Sequence, residues 1–121
     1  TKGASMNLAI IGSRTFTDYS LLKKEVDKLA SIYTIDMIIS GGAKGADSYA
    51  EKYAQENGIP LIVYTPMYEL YGKAAPIQRN KKIIEESDIV IAFWDGVSKG
   101  TKSAIDFVEK NDTTKCIIIK Y

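Results

Sequence analysis

The chain contains no histidine and a single cysteine, Cys116. Without histidine there is no Ser-His-Asp triad, no imidazole metal site and no ordinary general base near neutral pH. With one cysteine no disulfide can form within the chain, and Cys116, set in an apolar run, reads as a structural thiol rather than a nucleophile. Net charge is also scarce: +1 at pH 7. No strong field draws the protein to nucleic acid or to an acidic membrane, so neither is an expected partner. No apolar run approaches the ~20 residues that a bilayer-spanning helix needs, and a secretory pattern at the N-terminus is missing. The expected compartment is the cytoplasm. Any chemistry has to rest on carboxylates, lysines, hydroxyls or the ligand itself, with no metal and no resident cofactor expected.

What is present is ordered by five short apolar runs. They are Leu8–Ile11, Met37–Ile39, Leu61–Tyr64, Ile89–Phe93 and Cys116–Ile119. Each is rich in aliphatic residues and continuous rather than alternating, the pattern of strands covered on both faces in a parallel sheet. Helical patterns lie between them. Asp18 can cap a first helix with Leu22, Val26, Leu29 and Ala30 on one face. Ala46, Tyr49, Ala50, Tyr53 and Ala54 form a stripe that stops at Asn57-Gly58. Pro76 suits the first turn of a third helix with Ile77, Ile83 and Ile84 facing inward. Ala104, Ile105 and Val108 mark a fourth, ending near Asn111-Asp112. With 121 residues the chain makes one domain. The expected fold is a Rossmann-like, doubly wound α/β domain over residues 6–121. Its five-stranded parallel sheet has order 3-2-1-4-5. Residues 1–5 are expected to be a flexible tip. The connection Thr65 to Ala75 is long enough for a binding loop.

In such sheets ligands sit beyond the carboxyl ends of the strands, so the turn after each strand is the place to look. After the first comes Gly12-Ser13-Arg14, where Arg14 offers a planar fork for a phosphate or pairs with an acidic neighbour. After the second comes Ser40-Gly41-Gly42-Ala43-Lys44-Gly45-Ala46-Asp47. Its glycines allow close approach of an anion to the backbone, Ser40 and Lys44 can contribute, and a helix starts at once. The spacing matches neither the P-loop nor the dinucleotide fingerprint. Asp47 either complements the helix start or bonds a ribose or base group. In the third connection Tyr64, Tyr68 and Tyr71 either stack on a base or anchor the loop. Arg79 and Asn80 follow near the same rim. After the fourth strand, Gly96, Ser98, Gly100 and Thr101 open a second glycine-bearing turn. Asp95 there is either a turn former, a ribose acceptor or a general base. Asp95 and Asp47 are the two candidate catalytic carboxylates.

These four motifs, in this order, resemble the YspA-type (cpYpsA-related) branch of the SLOG superfamily. That superfamily includes the lonely-guy nucleotide phosphoribohydrolases, the Rossmann domain of DNA-processing protein A, and sensor domains that read nucleotide-derived signals. The resemblance implies a Rossmann-like fold, a nucleotide or nucleotide-derived ligand across the quoted motifs, and homo-oligomers. The phosphoribohydrolases carry Pro-Gly-Gly-x-Gly-Thr-x-x-Glu with a catalytic glutamate. The matching stretch here lacks the leading Pro-Gly-Gly, and Ser103 is read at the glutamate's place. The expected function is therefore binding, as a sensor or ligand module. Cleavage of a nucleotide N-glycosidic bond is the alternative, and single-strand binding ranks behind both.

Overall fold

The computed structural model describes residues 3–111 and 113–121. Five parallel strands form one sheet: β1 (Ser5–Gly12), β2 (Thr34–Ser40), β3 (Leu61–Val63), β4 (Ile89–Trp94) and β5 (Lys115–Lys120). Their order is β3-β2-β1-β4-β5. The helices between them are α1 (Tyr19–Ile32), α2 (Ala46–Asn57), α3 (Tyr68–Tyr71), α4 (Ala75–Glu85) and α5 (Lys99–Glu109). The chain is thus the doubly wound α/β domain that the apolar runs predict.

Side chains alternate across a strand, so a strand covered on both faces must be apolar at every position. Leu8 and Ile10 of β1, with Ile91 and Phe93 of β4, pack with Leu22 and Val26 of α1 and Tyr53 of α2. Ala9 and Ile11, with Val90 and Ala92, pack with Ile83 and Ile84 of α4 and Ile105 of α5. Leu22 is fully buried, worth about 2–3 kcal/mol of transfer from water. The Asp18 side chain accepts from the Leu21 backbone NH at 3.1 Å and starts α1 as expected. Gly58 adopts a left-handed conformation and ends α2.

Four expectations change. Ile77 does not face inward: it is 48% exposed. It lies in the first turn of α4, where it lines an open depression with Val97 and Lys99 while Ala75 of the same turn is buried. The long third connection is not a plain loop, since α3 and a 3₁₀ turn at Gly72–Ala74 fill it. Tyr68 and Tyr71 are exposed there rather than anchoring it. Of the expected tip, Thr1 and Lys2 lie outside the described residues, but the Gly3 NH donates to Ile32 O at 2.7 Å and Ser5 begins β1. Asp112, at the expected end of the last helix, also lies outside them. Among the described residues no helix is long and apolar enough to cross a membrane.

Candidate functional site

At the carboxyl end of the sheet, β1 leads toward α1 on one face and β4 toward α5 on the other. The two strands part there, with a last backbone bond from Ser13 NH to Phe93 O at 2.9 Å. Gly12 sits at the parting. A Cβ there would lie 2.6 Å from both Ala46 Cβ and Phe93 O, so the start of α2 rests directly on the end of β1. Gly45 precedes α2 with φ +76°, and a Cβ there would meet Ser13 O at 2.6 Å. Both contacts tie the second glycine turn to the first.

A cleft of about 360 Å³ opens above this parting. Ser13 and Arg14 come from the first turn, Gly41 and Asp47 from the second, Arg79 and Asn80 from α4, and Ser98, Gly100 and Thr101 from the fourth strand's turn. Gly12 lines it as well. So the turns after strands one, two and four do meet, with α4 as the remaining wall. Ser40, Gly42, Lys44, Gly45 and Gly96 do not line the cleft. Ser40 is fully buried beneath the turn, and Lys44 is exposed. Gly96 faces the Lys120 side chain. Thr15, Ala43, Pro76 and Lys99 also line the cleft. Those residue types carry no distinguishing signal in sequence.

The glycine turn uses two of its donors internally. The Gly42 NH donates to Ser40 Oγ at 3.2 Å, and the Ala43 NH donates to Asp47 Oδ2 at 3.0 Å. The carboxylate of Asp47 thus occupies, from inside the protein, the place an anion was expected to take. The first turn of α5 differs. Its first backbone bond of the helical type runs from Lys102 NH to Ser98 O, so the preceding NH groups have no carbonyl one turn back. An anion seat is better supported at Gly100-Thr101 than on the glycine turn.

Asp47 is 6% exposed, and its second oxygen, Oδ1, is buried without a hydrogen-bond partner among the described residues. Burial pushes its carboxyl up to about 6, opposed by the Ala43 NH and the Arg79 charge. Arg79 is held beside it. Its Nη1 donates to Gly41 O at 2.8 Å and its Nε to Asn80 Oδ1 at 2.8 Å. Burial lowers the Arg79 guanidinium, and the Asp47 charge raises it. The side-chain oxygen of Asn80 thus has Arg79 as its partner.

Asp95 proves to be a turn former. Its Oδ1 accepts from the NH groups of Val97 (2.9 Å) and Ser98 (2.8 Å), and its Oδ2 from Ser98 Oγ (2.9 Å) and Thr15 Oγ1 (3.3 Å). These donors, led by the two backbone NH groups, pull its carboxyl down to about 2. It does not line the cleft. A carboxylate so engaged holds no proton to give at neutral pH and is a weak base. The glutamate of the hydrolase motif also has no counterpart: counted from Gly100-Thr101, its place falls on Ala104, one residue past Ser103, and Ala104 is buried.

The family model described as YAcAr, the YspA, cpYpsA-related SLOG family, matches residues 6–71, more than half of the chain. The chain belongs to that family. The matched SLOG segment carries the first two turns of the cleft, while Arg79, Asn80 and the Gly100-Thr101 turn follow it. Among solved structures, the X-ray structure of DNA processing protein A (DprA) from Streptococcus pneumoniae aligns with a TM-score of 0.57 at 17% identity. The alignment covers 92% of this chain and 58% of that one. At that identity the likeness concerns the fold, which this SLOG domain shares. No curated protein matches the chain in sequence.

Proposed function

We propose that this SLOG domain binds a nucleotide or nucleotide-derived ligand in the cleft at the carboxyl edge of its sheet, as a binding or sensing module. The observation that carries the reading is the gathering of Arg14, Arg79 and the open first turn of α5 around one cleft. Two guanidinium groups, the Thr101 hydroxyl and unpaired backbone NH groups suit a phosphate. Asp47 suits a different part of the ligand: a buried carboxylate beside a phosphate would repel it, whereas a ribose hydroxyl or a base amino group can donate to it. The glycine turn then serves to hold Asp47 and Arg79 in place.

The test is a thermal-shift panel of mononucleotides and ADP-ribose. At one hundred times Kd a ligand adds about 2.7 kcal/mol of stability, a shift of several degrees. Arg79→Ala should reduce that shift sharply. Absence of a shift with every compound at millimolar concentration would sink the proposal.

A second reading has one specific observation behind it. Asp47, at about 6, can carry a proton near neutral pH, as the acid in N-glycosidic cleavage must. Chromatography of nucleoside monophosphates after incubation with the protein would detect released base. If Asp47→Asn left such release unchanged, Asp47 would have no part in it.

A further inference from the structure

A second depression, of about 680 Å³, lies between α4 and α5. It meets the cleft at Asn80, Lys99 and Ala104, which line both. Its chemistry differs from that of the cleft. Trp94 and Phe107 supply aromatic surface, and Lys81, Lys99, Lys102 and Lys110 supply four cations. Among the described residues Asp106 is the one carboxylate in its lining, and it is bonded to Lys102.

We propose that this groove is a second subsite, which takes the distal nucleoside of a ligand whose phosphate group is held in the cleft. The ligand class is a pyrophosphate-linked dinucleotide rather than a mononucleotide. This rests on the nucleotide reading given above and extends it.

Three observations support the assignment. The indole NH of Trp94 donates to Ser98 O at 3.1 Å, so the ring is fixed and its polar edge is already satisfied. What remains for a ligand is flat apolar surface, which suits a base. The Lys81 ammonium lies 5.8 Å from the centre of the Phe107 ring, so a cation and an aromatic ring stand together in the groove. Ile77 and Val97, 48% and 79% exposed, flank the same depression. Two exposed aliphatic side chains among lysines are accounted for if a flat ligand covers them. The junction also has the right order of groups. The start of α5 can hold the phosphates, and Lys99, in its first turn, reaches both spaces.

Trp94 is the chain's one tryptophan and lines the groove but not the cleft. Its fluorescence therefore reads the groove separately. The experiment titrates AMP, GMP, CMP and UMP, each beside its symmetrical dinucleoside pyrophosphate, by calorimetry and by tryptophan emission. The expected result for at least one pair is tenfold or tighter binding of the dinucleotide, with quenching of Trp94 that the mononucleotide does not produce. Lys81→Glu together with Lys110→Glu should cut the ratio of the two affinities below three.

Equal affinities within every pair, or an equal loss for both ligands in the double variant, overturn the proposal while leaving the nucleotide reading intact. If none of the eight binds, this inference is overturned; if ADP-ribose too gives no thermal shift, the nucleotide reading falls with it. Single-stranded oligonucleotides are titrated in parallel. Affinity that keeps rising with length beyond two nucleotides overturns the proposal in favour of a nucleic-acid track.

Discussion

Asp47→Asn should reverse part of the protein's pH dependence. Asp47 is almost fully buried, and its carboxyl moves from an ordinary 3.8 to about 6, chiefly through burial. Below pH 4 it is protonated in the folded and unfolded chains alike, and it costs nothing. Between 4 and 6 the folded protein keeps the proton that the unfolded chain releases, so stability falls as pH rises. Above 6 the full penalty is present. The gap between 3.8 and about 6 corresponds to about 3 kcal/mol. Asn cannot ionise, so it escapes this penalty at every pH. The attraction of Arg79 acts only on the ionised carboxylate and is already contained in that value, so the exchange of carboxyl for amide leaves an offset that does not vary with pH. The measurement is urea unfolding of both proteins at pH 4, 5, 6 and 7.5, read as the midpoint times the slope. The variant's stability relative to wild type should rise by about 2–3 kcal/mol from pH 4 to pH 7.5, a little less than the full gap because the unfolded chain is already half ionised at pH 4. Asp95 titrates with the opposite sign, but in another window: its carboxyl sits at about 2, so its contribution is lost only as pH falls from about 4 toward 2. A difference between the two proteins that stays flat from pH 4 to 7.5 would refute the assignment of a buried, strained carboxylate at Asp47.

Two other substitutions separate a glycine the fold needs from one it does not. Gly12→Ala places a Cβ 2.6 Å from the carbonyl of Phe93 and should cost about 3 kcal/mol, or ~10 °C in Tm. Gly100→Ala meets nothing within 4 Å inside α5 and should raise Tm by about 2–4 °C; if it also abolishes ligand binding, that glycine exists for the ligand. Tyr53→Phe removes the bond from the Tyr53 hydroxyl to Asp27 Oδ1, 2.6 Å long. It should lower stability by about 1 kcal/mol in denaturant titration. NMR titration should show the Asp27 carboxyl, now held low first by that hydroxyl, moving back toward its ordinary value.

The strand order and the doubly wound architecture were legible because a strand between two helical layers has no polar position to spare. Runs such as Ile89–Phe93 therefore declare themselves. The cleft was legible for a related reason: strand-end turns in this architecture converge whatever their sequence, so Arg14, Arg79 and Gly100-Thr101 could be grouped without coordinates. The roles inside it were not. Whether Ala43 NH points at a ligand or at Asp47 depends on the rotamer of a side chain four residues on, which no pattern of glycines encodes. Asp95 looks the same in sequence whether it faces a substrate or closes a turn on Val97 and Ser98. Ile77 fits the helical stripe of Ile84 but lines the open depression with Val97 and Lys99. The lysine groove escaped because Lys102 and Lys110 alone read as the solvated face of one helix. Only the packing of α4 and of the end of β4 against α5 brings Lys81 and Trp94 to them.

The two outer strands bear on self-association. An open sheet ends in unpaired backbone groups that can recruit another chain. Here one end is β3, three residues long and followed closely by Pro66, with Pro60 just before it. The other end is β5, which carries Lys115 and Lys120 at its extremities. The first edge is too short to template a partner strand, and the second sets like charges against each other when two copies align. Assembly by sheet extension, including the fibrous kind, is therefore opposed at both borders. Copies of this protein that associate have their helical faces to do it with.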